Sequence, residues 1–142
     1  MKEVKVAAAV ICDSLAEKKS IFATAKGYGE FKGRWEFPGG KIEAGETPRQ
    51  ALVREIEEEL AVKITVGDLL DRIEYDYPAF HLSMDCFWCE IAAGEPKLLE
   101  AAEGRWLAKE ELHSVPWLPA DIALLEKIAK HMAAGREENG LK

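Results

Sequence analysis

The chain has 142 residues, enough for one compact domain that buries roughly two-thirds of its unfolded surface, and 48% hydrophobic with 32% charged residues is a globular balance that excludes disorder. The longest apolar run, Val6 to Cys12, is too short to cross a bilayer and no small-residue cleavage site follows it, so no membrane partner is expected and a cytoplasmic location is. A formal charge of −7 argues against a general binder of duplex nucleic acid, which needs clustered Lys and Arg, but allows a small polyphosphate bridged by divalent cations.

In chain order, Val4–Cys12 and Ser20–Ala25 read as strands joined by the polar turn 13–19, with a looser connection from Gly27 to Gly33. Trp35-Glu36-Phe37 alternates, and Pro38-Gly39-Gly40 then breaks into a loop where backbone groups can approach a ligand. Thr47 is a good N-cap, Pro48 suits the first helical position and Gln50 completes a capping box, which predicts a helix over 48–60. Its inward stripe is Ala51, Leu52, Ile56 and Leu60, with Val53 beside it. Strands are expected at 63–66, 69–77, 80–91 and 97–99 and near 105–107. A second helix starts at Pro119, with Ile122, Leu124, Leu125, Ile128 and Met132 inward. Residues 1–134 form a single domain on this pattern, and 135–142 a polar tail.

Cys12, Cys86 and Cys89 are an odd set without an export signal, which fits a reducing compartment. Cys86 and Cys89 form a CxxC inside an apolar run. On a strand, residues three apart point to opposite faces, so both are expected in the core rather than on zinc.

The chemistry centres on the first helix. Glu55, Glu58 and Glu59 stand at i, i+3 and i+4, which puts three carboxylates on one face within a turn, and Glu57 adjoins them. Like charges so spaced repel, and a divalent cation removes the repulsion; hard oxygen ligands are how proteins hold Mg²⁺ or Mn²⁺. A solvated acidic face, with Arg54 and Glu58 as a surface ion pair, is the ordinary alternative. What weighs against it is the glycine-bearing loop Gly39-Gly40-Lys41-Ile42-Glu43-Ala44-Gly45-Glu46 leading into the same helix, which can offer a carbonyl to a metal and N–H groups to phosphate.

These residues resemble the Nudix box: a glycine, five residues, Glu, seven residues, Arg-Glu, an aliphatic, any residue, Glu-Glu, any residue, Gly, an aliphatic. Gly40, Glu46, Arg54-Glu55-Ile56, Glu58-Glu59 and Val62 match. Ala61 departs where the family has glycine, and an Ala in the left-handed conformation costs about 1 kcal/mol. The likeness extends over nearly the whole chain and is nearest to MutT-like nucleoside triphosphate pyrophosphohydrolases. Trp35 to Glu43 is similar to their approach to the box, and Trp117-Leu118-Pro119-Ala120-Asp121 to their base-contacting segment.

The resemblance implies an α+β fold, a mixed β-sheet sandwiched between α-helices. It implies a Mg²⁺ site, with Mn²⁺ possible, made by Glu55, Glu58, Glu59, the carbonyl of Gly39, and Glu100 from a distant loop. Glu46 and Arg54 would stand behind these, Arg54 orienting the carboxylates. Phosphate contacts are expected from Lys26, Gly40 and Lys41, and a base contact from Asp121. Lys26 reads equally well as a solvated strand-end lysine, and Asp121 as a cap of the last helix. Glu55 is the first candidate for general base and Glu100 the second. The implied reaction is hydrolysis of a nucleoside triphosphate to monophosphate and pyrophosphate, as in an 8-oxo-dGTP diphosphatase that cleans the nucleotide pool. A (d)CTP or 5-methyl-dCTP pyrophosphohydrolase is the alternative. Dinucleotides, nucleotide sugars and capped RNA are compatible with the box alone, and a non-catalytic nucleotide sensor is the alternative of another class. Monomer and homodimer are both compatible with the sequence.

Overall fold

The computed structural model describes residues 2–133. Strands β1 (Lys2–Cys12), β2 (Ser20–Ala25), β3 (Trp35–Glu36), β4 (Gly39–Lys41), β5 (Lys63–Asp76), β6 (Phe80–Ala93) and β7 (Glu103–Ala108) form one seven-stranded sheet, with helices α1 (Pro48–Leu60) and α2 (Pro119–His131). The main order is β3-β2-β1-β6-β5, with β4 on β1 and β7 on β2. β1 and β6 run parallel and every other pairing is antiparallel. This is an α+β arrangement with a mixed sheet and two helices, as the resemblance implied.

Strand β1 is apolar throughout its second half because both of its faces are covered. Ala8, Val10 and Cys12 point into the cluster that α2 completes with Leu124, Leu125 and Ile128. Ala7, Ala9 and Ile11 point the other way, into the cluster that α1 completes with Leu52, Ile56 and Leu60. The same alternation divides the CxxC, Cys86 facing the first cluster and Cys89 the second. All three cysteines are free and buried, and burial pushes the Cys12 thiol up to about 11 and Cys89 to about 12, as expected of packing residues.

The sheet opens where the site lies. β1 pairs with β2 only at Ile11–Phe22 and Cys12–Ile21; farther along, Val6–Ala8 take β4 as partner while Thr24 and Ala25 take β3. The segment expected to be a loop at Gly39-Gly40 is therefore strand, wedged between two strands that have splayed apart. Gly39 is required there because a β-carbon would stand 2.1 Å from the carbonyl oxygen of Ala7.

Three further expectations change. The two strands expected at 63–66 and 69–77 are one, bent by irregularities between Val66 and Asp71. Residues 97–99 form no strand; the amides of Lys97 and Leu99 donate to the carbonyls of Leu60 and Glu59, satisfying orphan acceptors at the end of α1. Ile122 faces outward and is half exposed, because the buried phase of α2 runs through Ala120, Asp121, Leu124, Leu125 and Ile128. The polar tail expected from Gly135 lies outside the described residues. No described helix is long and apolar enough to cross a membrane.

Candidate active site

Helix α1 is placed by its capping box: Thr47 Oγ1 accepts from the Gln50 amide at 3.1 Å and Gln50 Oε1 from the Thr47 amide at 3.0 Å. Its first turn packs on β1 through Ala51 and Leu52, which fixes the phase and leaves Arg54, Glu55, Glu58 and Glu59 along the side facing β4 and the open end of the sheet.

Arg54 gathers the acids. Its Nε and Nη2 grip Glu46 at 2.7 and 2.9 Å, Nη1 donates to Glu55 at 3.0 Å and to Glu58 at 3.4 Å, and Nη2 also reaches the Lys41 carbonyl at 3.1 Å. The guanidinium hydrogen bonds pull the Glu46 carboxyl down to about 2. Burial pushes Glu55 up, against the pull of Arg54. Its carboxylate lies on the backbone of β4: a β-carbon on Gly40 would fall 2.2 Å from Glu55 Cδ. Gly40 is thus a cradle for a carboxylate.

Glu59 is held at about 8, chiefly by burial and then by the negative charges of Glu36, Glu100 and Glu55, with a hydrogen bond from the Gly39 backbone opposing the rise. These acids are brought within electrostatic reach of one another. Among the described residues no three acidic, His or Cys side chains already converge as a closed ligand set. The chemistry of the donors nevertheless fits a hard divalent cation: clustered carboxylates, strained by mutual repulsion, beside backbone that has no side chain to block approach.

Beside the acids a cavity of about 300 Å³ opens in the splay of β1 and β2. Its walls bring together most of the residues expected from sequence: Lys26, Gly39, Gly40, Lys41, Glu59, Glu100 and Asp121. Glu55 sits behind Gly40 rather than on the wall, and Glu58 is exposed beside Arg54. Lys26 is paired with Glu36 at 3.6 Å.

At the far end Asp121 is buried, 4% exposed. The segment 116–118 runs along β3, Trp35 donating to the Pro116 carbonyl at 2.9 Å and Leu118 to that of Trp35 at 2.8 Å, which carries the first turn of α2 into the cavity. The helix is capped at Leu118 without a side-chain bond, so capping by Asp121 is not what holds α2. Burial, followed by the charge of Glu36, pushes the Asp121 carboxyl well up, while the Phe37 backbone amide opposes this. These surroundings make the acid retain its proton far more readily than an exposed Asp.

Glu36 is the residue that sequence reasoning missed. It lines the cavity between Lys26, Glu59 and Asp121, and burial raises its carboxyl. The signal available was its phase: Trp35 and Phe37 are buried, so the residue between them must face the other way. The aromatic residues Tyr28, Phe31, Tyr77 and Phe80 also line this space, whereas Trp35 is packed in the core and Trp88 lies at the other end of β6.

The family model of the NUDIX domain matches residues 3–136. The chain is 33% identical over 131 residues to an 8-oxo-dGTP diphosphatase of Escherichia coli, covering 92% of this chain and 99% of that protein. It is 34% identical over 134 residues to the CTP pyrophosphohydrolase of the same organism, covering 94% and 97%. The solution structure of the Escherichia coli ORF135 protein superposes with a TM-score of 0.76 at 32% identity, covering 92% of this chain and 91% of that one. Sheet, acid cluster and box together place the chain in the Nudix hydrolase family. It is a pyrophosphohydrolase, of a family that acts on small nucleotides and generally depends on a divalent metal.

Proposed function

We propose that this enzyme hydrolyses a nucleoside triphosphate to the monophosphate and pyrophosphate, with oxidised guanine, as in 8-oxo-dGTP, the preferred base. The observation that carries this is the cavity with acids and β4 backbone at one end and a buried carboxyl, Asp121, at the other. Its volume, about 300 Å³, is at the small end of ligand sites and suits one nucleotide rather than a capped RNA. The enclosure of the base end and the full set of box acids weigh against a non-catalytic sensor.

Glu55, Glu58, Glu59, Glu100 and the Gly39 carbonyl would hold Mg²⁺ or Mn²⁺. When bound, the metal supplies charge neutralisation of the polyphosphate and a more acidic attacking water. Lys26, Gly40 and Lys41 bind and orient the phosphates. Glu55, kept in place by Arg54 and by the cradle at Gly40, takes the proton of the attacking water, with Glu100 the second candidate. Water oxygen bonds to the β-phosphorus, the bond from that phosphorus to the α–β bridging oxygen breaks, and the monophosphate leaves. Asp121 accepts a hydrogen bond from the N7–H that 8-oxoguanine has and guanine lacks.

A second reading is a cytosine nucleotide, whose exocyclic amino group would donate to the same carboxyl; the 34% identity to a CTP pyrophosphohydrolase favours it as much as the other relative favours guanine. A panel of canonical, oxidised and methylated nucleoside triphosphates with Mg²⁺, scored for pyrophosphate and phosphate, separates the two. In ¹⁸O water the label should enter pyrophosphate. Label in the monophosphate would mean attack at the α-phosphorus and refute the mechanism.

A further inference from the structure

We propose that the Tyr77 hydroxyl is the hydrogen-bond donor of the base-reading corner, set beside the Asp121 carboxyl as acceptor. The assignment rests on the nucleotide function proposed for this cavity and adds to it a second group that reads the base.

Tyr77 ends the β5–β6 hairpin, where its amide and that of Phe80 exchange bonds with each other's carbonyls at 2.9 and 3.3 Å. Its ring is 7% exposed and fixed on three sides, stacked on Phe80 at 5.1 Å and tilted against Tyr75 at 4.8 Å and Phe31 at 5.6 Å. The hydroxyl oxygen accepts from the Ala120 amide at 3.2 Å, the residue before Asp121 in the first turn of α2. A phenol has one proton to give as well as lone pairs to receive. With the oxygen committed to α2 as acceptor, the proton is directed away from Ala120. No described residue accepts it, and Tyr77, Ala120 and Asp121 all line the cavity. A buried donor is costly unless something accepts its bond, and the ligand is what completes it.

The chemistry of the pair follows. When N7–H of 8-oxoguanine donates to Asp121 and so favours its ionised form, the carboxylate can only accept, which leaves the adjacent O6 without a donor. Tyr77 supplies that donor, so two residues together present the adjacent acceptor and donor that the oxidised base edge requires. Burial raises the Tyr77 hydroxyl above its ordinary range, so the proton stays in place through neutral and mildly alkaline pH.

The test compares wild type with Tyr77→Phe, which keeps the ring packing, on 8-oxo-dGTP, dGTP, dCTP and base-less 2-deoxyribose 5-triphosphate. A neutral hydrogen bond predicts a loss of about five- to tenfold in kcat/KM on 8-oxo-dGTP, entering through KM, and a much smaller loss on the base-less substrate. An 8-oxo analogue lacking O6 should be hydrolysed poorly by wild type and lose little more in Tyr77→Phe, since the bond is already gone. The ratio of wild type to variant should stay constant from pH 6 to 9, whereas a donor provided by Asp121 itself would fade as that acid ionises. No loss on any nucleotide, an equal loss on the base-less substrate, or a ratio that collapses at high pH overturns the assignment. If wild type instead prefers dCTP and the Tyr77→Phe loss is concentrated there, the oxidised-guanine function falls while the Tyr77 donor stands. If wild type hydrolyses no nucleoside triphosphate, both fall.

Discussion

The carboxylate of Glu55 occupies the space where a side chain on Gly40 would be, with Cδ 2.2 Å from the position of the missing β-carbon. A helix acid and a strand backbone thus share one contact surface. Gly40→Ala should displace the carboxylate, break its bond to Arg54 and lower kcat by two orders of magnitude or more, about 2.7 kcal/mol of barrier. The strand itself tolerates Ala, so thermal melting should move little. Near-normal kcat in a folded Gly40→Ala protein would remove Glu55 from the mechanism.

Glu58 raises the Glu55 carboxyl and Glu55 raises that of Glu59, a repulsion that a divalent cation would relieve. Activity should therefore require Mg²⁺ or Mn²⁺ and disappear in excess EDTA. Glu58→Gln and Glu59→Gln should each lower kcat by several orders of magnitude while leaving the far-ultraviolet circular dichroism unchanged. Glu58 is the more demanding case because it stands exposed, and full activity of both variants would return the cluster to a solvated helix face.

Glu59 makes the metal-free protein sensitive to pH. Its folded pKa, about 8, lies above the ordinary carboxyl value of 4.5, so the folded state binds the extra proton between those values. The stability tied to that proton is complete below about 4.5 and is lost as pH rises toward 8. In EDTA the melting temperature should fall across that window, and Glu59→Gln should flatten the fall. Mg²⁺ should bind more tightly as pH rises, releasing protons. A melting temperature that climbs from pH 5 to 8 in EDTA would contradict the burial of Glu59.

Ala61 takes the left-handed conformation, φ 59° and ψ 34°, at the end of α1, its amide donating to the Glu57 carbonyl at 3.0 Å. The turn that the family builds with glycine is present here with a strained alanine. Ala61→Gly should stabilise the protein by about 1 kcal/mol, or roughly 3 °C in melting temperature, with the rate unaltered because the bond from Ala61 goes to the backbone carbonyl of Glu57 and not to a carboxylate. An unchanged or lower melting temperature would mean that the loss of the methyl group's packing outweighs the relief.

Much of this was legible from residue order alone. α1 declared itself through Thr47, Pro48, Gln50 and the 3.6-residue recurrence of Ala51, Leu52, Ile56 and Leu60, and the acid cluster came with the helix phase. What the sequence concealed depends on contacts between distant segments. Gly39-Gly40 reads as a break because glycine is poor in strands, yet here it is strand because only glycine fits against Ala7. Residues 97–99 read as a short strand but are spent on the end of α1. Glu36 gains its character from Lys26, Glu59 and Asp121, none nearer than ten residues in sequence.

Asp121 gives the last prediction. It is a carboxyl with almost no access to water, close to the negative charge of Glu36, so its ionised form is disfavoured until a ligand donates to it. A base presenting a donor, N7–H of 8-oxoguanine or the amino group of cytosine, binds the ionised form better, so KM for the preferred nucleotide should fall as pH rises and then level off. Asp121→Asn removes the titration while keeping size and an acceptor oxygen, so its KM should be flat with pH. Its stability should follow the sign of the shift. The raised pKa favours the folded wild type at low pH and penalises it as pH rises, so Asp121→Asn should gain on wild type between pH 5 and 8 in chemical denaturation. Asp121→Ala should raise KM for the preferred base far more than for poor substrates, because removing one partner of a buried hydrogen bond costs about 1–3 kcal/mol. Equal losses on every base, together with a KM for wild type that ignores pH, would move the reading of the base away from Asp121.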